Sequence, residues 1–231
     1  MTRLLDIARI QLVNWPALVA YPLGLLVAMP LLGWGIDVSN GETGGSPHAI
    51  FLLPMVWGVV ASGHLQSMTQ VFPFALGLGV TRRRFAAATA LVVTAQALLL
   101  GLGLVVCAAI ERATGGWGRE ARIFGLGALR TDDPFTQWLS YSGLIIGASA
   151  LCVLVGTVFQ RWRQTGIYLS VFGTTALLAG IGSLASSQNW WPAIGRFFDD
   201  WPSLTVFTAF PLALALALGG AAWLVLRRAT P

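Results

Sequence analysis

Six stretches of about twenty residues in this chain contain no Asp, Glu or Arg, and the chain has no Lys at all. A bilayer core about 30 Å thick is crossed by a helix of that length, each residue rising about 1.5 Å. The stretches cover residues 15–36, 49–68, 85–110, 138–159, 166–184 and 204–226. Charged residues make up 10% of the 231 positions and hydrophobic ones 56%, whereas soluble domains carry roughly 25% charge. The expected fold is an all-α integral membrane protein: one transmembrane domain over 1–231, with six spans.

The polar punctuation supports these limits. Thr2 to Gln11 places Arg3, Asp6 and Arg9 on one helix face and Leu4, Leu5, Ala8 and Leu12 on another. That is the pattern of an interfacial amphipathic helix. Pro16, Pro22 and Pro30 predict kinks in the first span. Ser46–Pro47 and Asp133–Pro134 each read as an N-cap followed by a first-turn proline. The first apolar run is too long and proline-broken for a cleavable signal peptide.

Arginine placement sets the expected topology. With both termini in the cytoplasm, the inner side holds Arg3, Arg9, Arg82, Arg83, Arg84, Arg161, Arg163, Arg227 and Arg228. The outer side holds Arg112, Arg119, Arg122, Arg130 and Arg196, and every acidic residue except Asp6. Cytoplasmic loops carry the basic excess, so the net charge of +5 reflects orientation rather than a nucleic-acid partner. Without Lys there is no phosphate-binding loop of the Walker type, and no Schiff-base chemistry. Cys107 and Cys152 lie in apolar runs without metal-like spacing and read as small packing residues. His48 reads as a solvated loop residue. The chain is not expected to be an enzyme or to bind a cofactor or metal itself.

The buried polar residues are His64, Gln66 and Gln70 near the inner end of the second span, with Gln96 midway along the third. Two residues rotate a helix by about 200°, so His64 pairs in direction with Ser67, and Gln66 with Gln70. They either bond between helices or line a substrate path. Gly143 and Gly147 form a GxxxG pair that suits packing within the chain or between copies. Trp190, Ile194, Phe197 and Trp201 recur on one helix face, flanked by Trp191 and Phe198. They predict an outer amphipathic helix with Pro192 in its first turn.

The segment FPFALGLGVTRRRFAAATAL, from Phe72, sets a proline, two spaced glycines and three arginines before the third span. It resembles the permease subunits of type-two ATP-binding-cassette exporters, which have six membrane helices. The N-terminal helix and the aromatic helix before the last span match that layout. The resemblance implies a coupling segment that sits against a separate ATPase, made of Phe72, Pro73, Phe74, Gly77, Gly79, Thr81, Arg82, Arg83 and Arg84. It implies an outer gate helix of Trp190, Trp191, Phe197, Phe198 and Trp201. His64, Gln66, Gln70 and Gln96 are the candidate path-lining residues. The implied partners are an ATP-binding-cassette ATPase carrying ATP and Mg, a second permease subunit and the lipid of the cell membrane. The cargo is expected to be hydrophobic or amphipathic. The loop at 111–133 is longer and richer in glycine than the class leads one to expect.

Two rival classes remain. One is a non-transporting membrane protein: a sensor, an assembly factor or an accessory subunit. The other is a membrane enzyme completed by a partner and using Asp132, Asp133, Asp199 and Asp200, though these residues are better explained as helix caps and loop solvation.

Overall fold

The structure, a computed structural model, describes residues 2–40, 52–120, 123–124, 133–202 and 204–227. Every regular element among them is helical. Among the described residues, four stretches are long and apolar enough to cross a membrane: Pro16–Ile36, Arg82–Ala113, Pro134–Ser187 and Thr205–Leu226.

The chain opens with α1 (Thr2–Gln11), which buries Ile7, Ala8 and Gln11 and exposes Leu5, Asp6 and Arg9. A 3-10 turn at Leu12–Asn14 and a π-helical turn at Pro16–Ala20 lead into α2 (Tyr21–Asn40). The second expected span appears as α3 (Leu52–Gln66) running into a π-helical turn at Ser67–Val71, and the short α4 (Phe72–Gly77) follows within the expected coupling segment. Its expected start, with Ser46, Pro47 and His48, lies outside the described residues.

The helix α5 (Arg82–Ala113) is longer at both ends than the expected third span. Three arginines in its first turn oppose the helix dipole, which favours anions there. Arg82 resolves part of this conflict by reaching away from its own helix. Its guanidinium donates to the carbonyls of Leu226 (3.2 Å) and Arg227 (3.3 Å). A cation at the C-terminus of the last helix is where the dipole stabilises it.

The expected fourth and fifth spans form one 54-residue run, α6 (Pro134–Ser187). A straight helix of that length would be about 80 Å long, more than twice the hydrocarbon core. The run breaks at Arg163, whose φ of 55° and ψ of −143° are not helical. A side chain at Gly166 would collide with Trp162, its Cβ falling 2.6 Å from that residue's Cβ. Only glycine permits this close approach. Asp133 caps the start of α6, accepting from the backbone of Phe135 and Thr136 and from the Thr136 hydroxyl. The chain ends with α7 (Trp191–Asp200), a π-helical turn at Thr205–Ala209 and α8 (Phe210–Leu226).

The first half of α6 is the central post, contacted by α3, α5 and α8, while α1 lies on α5. Two apolar cores stack along it. One joins Met29, Val56, Leu100, Leu104, Tyr141 and Ile145 and takes in Ile123 and Phe124 from the long loop. The other joins Ile7, Leu18, Met68, Phe72, Phe85 and Leu226 at the arginine-rich end. The second half of α6 shares neither core. Leu169, Phe172 and Leu178 are each about 70% exposed.

Gly143 and Gly147 meet α8 and the turn before it. A Cβ at Gly143 would lie 3.0 Å from the Phe207 carbonyl, and one at Gly147 3.5 Å from Pro211. The GxxxG pair thus packs within the chain, and the hydroxyls of Ser140 and Thr208 meet at 3.3 Å along the same seam.

Candidate coupling elbow and buried polar belt

The elbow between α4 and α5 is short and tightly specified. Gly79, at φ 80°, takes the left-handed position that ends α4. Its N–H bonds to Leu76 O (2.9 Å), and that of Val80 bonds to Ala75 O (3.0 Å). This is the paired closure of a Schellman turn, for which glycine is the favoured residue. Thr81 is extended, and its carbonyl accepts from Phe85 N to begin α5. Only four residues, Leu78 to Thr81, separate the two helices.

The expected coupling residues divide by face. Phe72 is buried and packs edge-on against Phe85, ring centroids 5.1 Å apart. It anchors the elbow and has no surface left for a partner, which does not fit the docking role expected of it. Phe74 (61%) and Leu78 (60%) are the exposed apolar groups. Pro73, Gly77, Gly79, Thr81, Arg83 and Arg84 are exposed too. Arg82 is occupied at the end of α8.

The four candidate path-lining residues also separate. His64 and Gln96 are buried and lie beside one another, whereas Gln66 and Gln70 are exposed on the opposite side of their helix. They form no single polar path in one copy of the chain. The inward group is larger than the sequence suggested. Gln96 donates to the Leu18 carbonyl, and Gln11 donates to the Thr89 hydroxyl (2.9 Å). Ser67 is buried next to this belt on the His64 side. Among the described residues, both His64 ring nitrogens, Ser67 Oγ, Gln96 Oε1 and Gln11 Oε1 are buried without a well-formed hydrogen bond. Buried polar atoms in membrane proteins are costly when unpaired and tend to mark working parts.

Sequence reasoning passed over two polar residues. Gln160 donates to the carbonyls of Met68 (2.9 Å) and Thr69 (3.0 Å). These belong to the π-helical turn that ends the second span, so Gln160 pins an irregular segment to α6. The signal was a Gln beside the basic turn at Arg161. Glu111 is buried in the last turn of α5. Its carboxylate accepts from Ile123 N (2.8 Å), Phe124 N (3.0 Å) and Trp117 Nε1 (3.3 Å). Tyr141 in turn donates to the Phe124 carbonyl. The described part of the long loop is therefore a plug held by one carboxylate.

The aromatic segment before the last span is helical, as its spacing predicts. Trp190, Trp191, Phe197 and Trp201 are all about half exposed, and Trp191 Nε1 donates to Ser186 Oγ (2.9 Å). The side chains of Phe198, Asp199 and Asp200, like the whole of Asp132, lie outside the described residues. No family model, curated protein or solved structure matches the chain.

Proposed function

We propose that this chain is the membrane-spanning subunit of an ATP-driven exporter, with six spans and both termini cytoplasmic. The elbow carries the reading. A rigid helix–turn–helix corner holds Phe74 and Leu78 exposed at the arginine-rich end, beside Arg83 and Arg84. Apolar groups facing the cytoplasm gain about 1.5–3 kcal/mol per fully buried side chain when a partner covers them. A soluble ATPase is that partner, since a chain without Lys has no phosphate-binding loop of its own.

The break at Arg163, which would let α6 cross twice, and the arginine distribution support a six-span reading. Movement of the elbow would be passed to α3 and α5, between which the incompletely paired belt of His64, Ser67 and Gln96 lies. Helices meeting through such groups can exchange hydrogen-bond partners as they slide, which suits alternating access. Pairing with a second permease subunit has a natural face in the exposed half of α6. The aromatic α7 would close the outer exit.

The test is affinity purification from the native host in mild detergent. The wild-type chain is expected to bring down an ATP-binding-cassette ATPase, and Phe74→Ala with Leu78→Ala to lose it. Recovery of no such ATPase with the wild-type chain overturns the reading in favour of an accessory membrane protein.

A further inference from the structure

The helices α5 and α8 both pack on the first half of α6 but barely touch each other. Between them lies a lateral groove of about 530 Å³, within the range of roughly 300–1,000 Å³ typical of ligand sites. Its walls are nearly all apolar and mostly small: Ala86 and Ala90 from α5, Ala150 and Val153 from α6, Gly219 and Gly220 from α8. Along α8 it runs from Leu212 to Leu226, about 21 Å by helical rise. One leaflet's hydrocarbon is about 15 Å deep, so the groove spans a leaflet on the arginine-rich side.

The mouth differs from the walls. Ala86 and Trp223 continue from the groove into a second hollow, where Arg83 joins them. Arg82 is spent on the carbonyls of Leu226 and Arg227, fixing the rim. Arg83 is exposed and has no carboxylate partner among the described residues, whose one ion pair joins Arg9 and Asp6. An apolar slot one leaflet deep, with an exposed guanidinium and an indole at headgroup level, matches an anionic amphiphile in both shape and charge.

A helix from a second copy is the competing occupant. It fits less well, because none of the six apolar stretches carries an acidic residue. Such a helix would cover the slot and leave the Arg83 cation unanswered, whereas a phosphate satisfies it. We propose that the groove between α5, α6 and α8 binds one acyl chain of an anionic glycerophospholipid drawn from the surrounding leaflet, with its phosphate on Arg83. This rests on the chain's placement in a membrane and not on its pairing with an ATPase.

The test uses the full-length chain in nanodiscs of phosphatidylcholine containing phosphatidylglycerol, with a photoreactive group on the acyl chain of one lipid at a time. Labelling by phosphatidylglycerol is expected to concentrate on residues 86–94 and 212–223 and to exceed labelling by phosphatidylcholine severalfold. Arg83→Gln, which removes an exposed group with no ion-pair partner among the described residues, should bring the two lipids to parity. Gly219→Leu with Gly220→Leu should abolish labelling by both. New side chains at these two sites meet open space, and the change raises helix propensity. Label spread evenly over all helices in the wild-type chain overturns the site, and equal labelling by the two lipids there overturns its anionic preference. Cysteine crosslinking from Ala90→Cys to a second copy, in place of lipid label, assigns the groove to the protein partner instead.

Discussion

At the scale of single residues, neighbours of like chemistry do opposite work. Two positions along a helix are about 200° apart, so the rotation that separates His64 from Gln66 also separates Phe72 from Phe74. Phe72→Ala empties a packed site against Phe85 and should cost about 3–5 kcal/mol, seen as a fall in melting temperature in detergent. Phe74→Ala should leave that temperature unchanged and weaken only partner recovery. Equal melting temperatures for the two variants would contradict the assigned faces. Gln160→Leu removes both donors to the Met68 and Thr69 carbonyls. It should destabilise by about 1–3 kcal/mol, measurable in the same assay. The Thr136 hydroxyl and the backbone N–H groups of Thr136 and Phe135 hold the Asp133 carboxyl below the usual carboxylate range. The stabilising cap is therefore complete above the ordinary Asp range and is lost as pH falls through the lowered value. Asp133→Asn should flatten the acid limb of a stability–pH profile, and an unchanged limb would show that the cap has no such role.

At the scale of elements, what could be read in the sequence depended on contrast. The start of α6 was legible because Asp133–Pro134 interrupts an apolar run, and α7 because charge and aromatic residues alternate with helical period. The elbow's glycines were visible, but not that Gly79 alone needs a left-handed backbone. Packing partners were illegible for a physical reason. A helix apolar on every side has no moment to show which face meets protein and which meets lipid, and α8 reads FPLALALALGGAAWLVL. Nothing in such a sequence shows that Gly143 and Gly147 seat against this helix and its preceding turn. The long loop was opaque because Glu111 looked like ordinary outer charge, though it gathers three N–H donors inside the protein. Glu111→Ala should free the plug. A reporter cysteine at Ile123, buried in the native chain, should then react severalfold faster with a membrane-impermeant maleimide. No change in rate would mean that the core alone holds Ile123 and Phe124.

At the scale of the whole molecule, contact is unevenly distributed among the described residues. The first half of α6 is packed by three helices, while the second half, after Gly166, is exposed almost throughout. Lipid alone can surround an apolar helix, so exposure does not by itself require a partner. The side-chain pattern is more specific. Gly173, Ala176, Gly180 and Ser183 recur at alternating three- and four-residue steps along one face, the small-residue seam that lets membrane helices approach closely. Side chains added at Gly173 or Gly180 meet nothing among the described residues. A bulky residue there should therefore spare the fold and obstruct only pairing. Gly180→Leu is expected to keep the wild-type melting temperature and to shift the detergent-solubilised protein from dimer to monomer. Gly143→Leu, forced against the Phe207 carbonyl and Thr208 Cα, should lower the melting temperature itself. Gly180→Cys, with Cys107 and Cys152 replaced by Ser, should form a disulfide-linked dimer under mild oxidation in native membranes. A monomeric wild-type chain in mild detergent, together with no crosslink at position 180, would place this helix in lipid and remove the proposed pairing face.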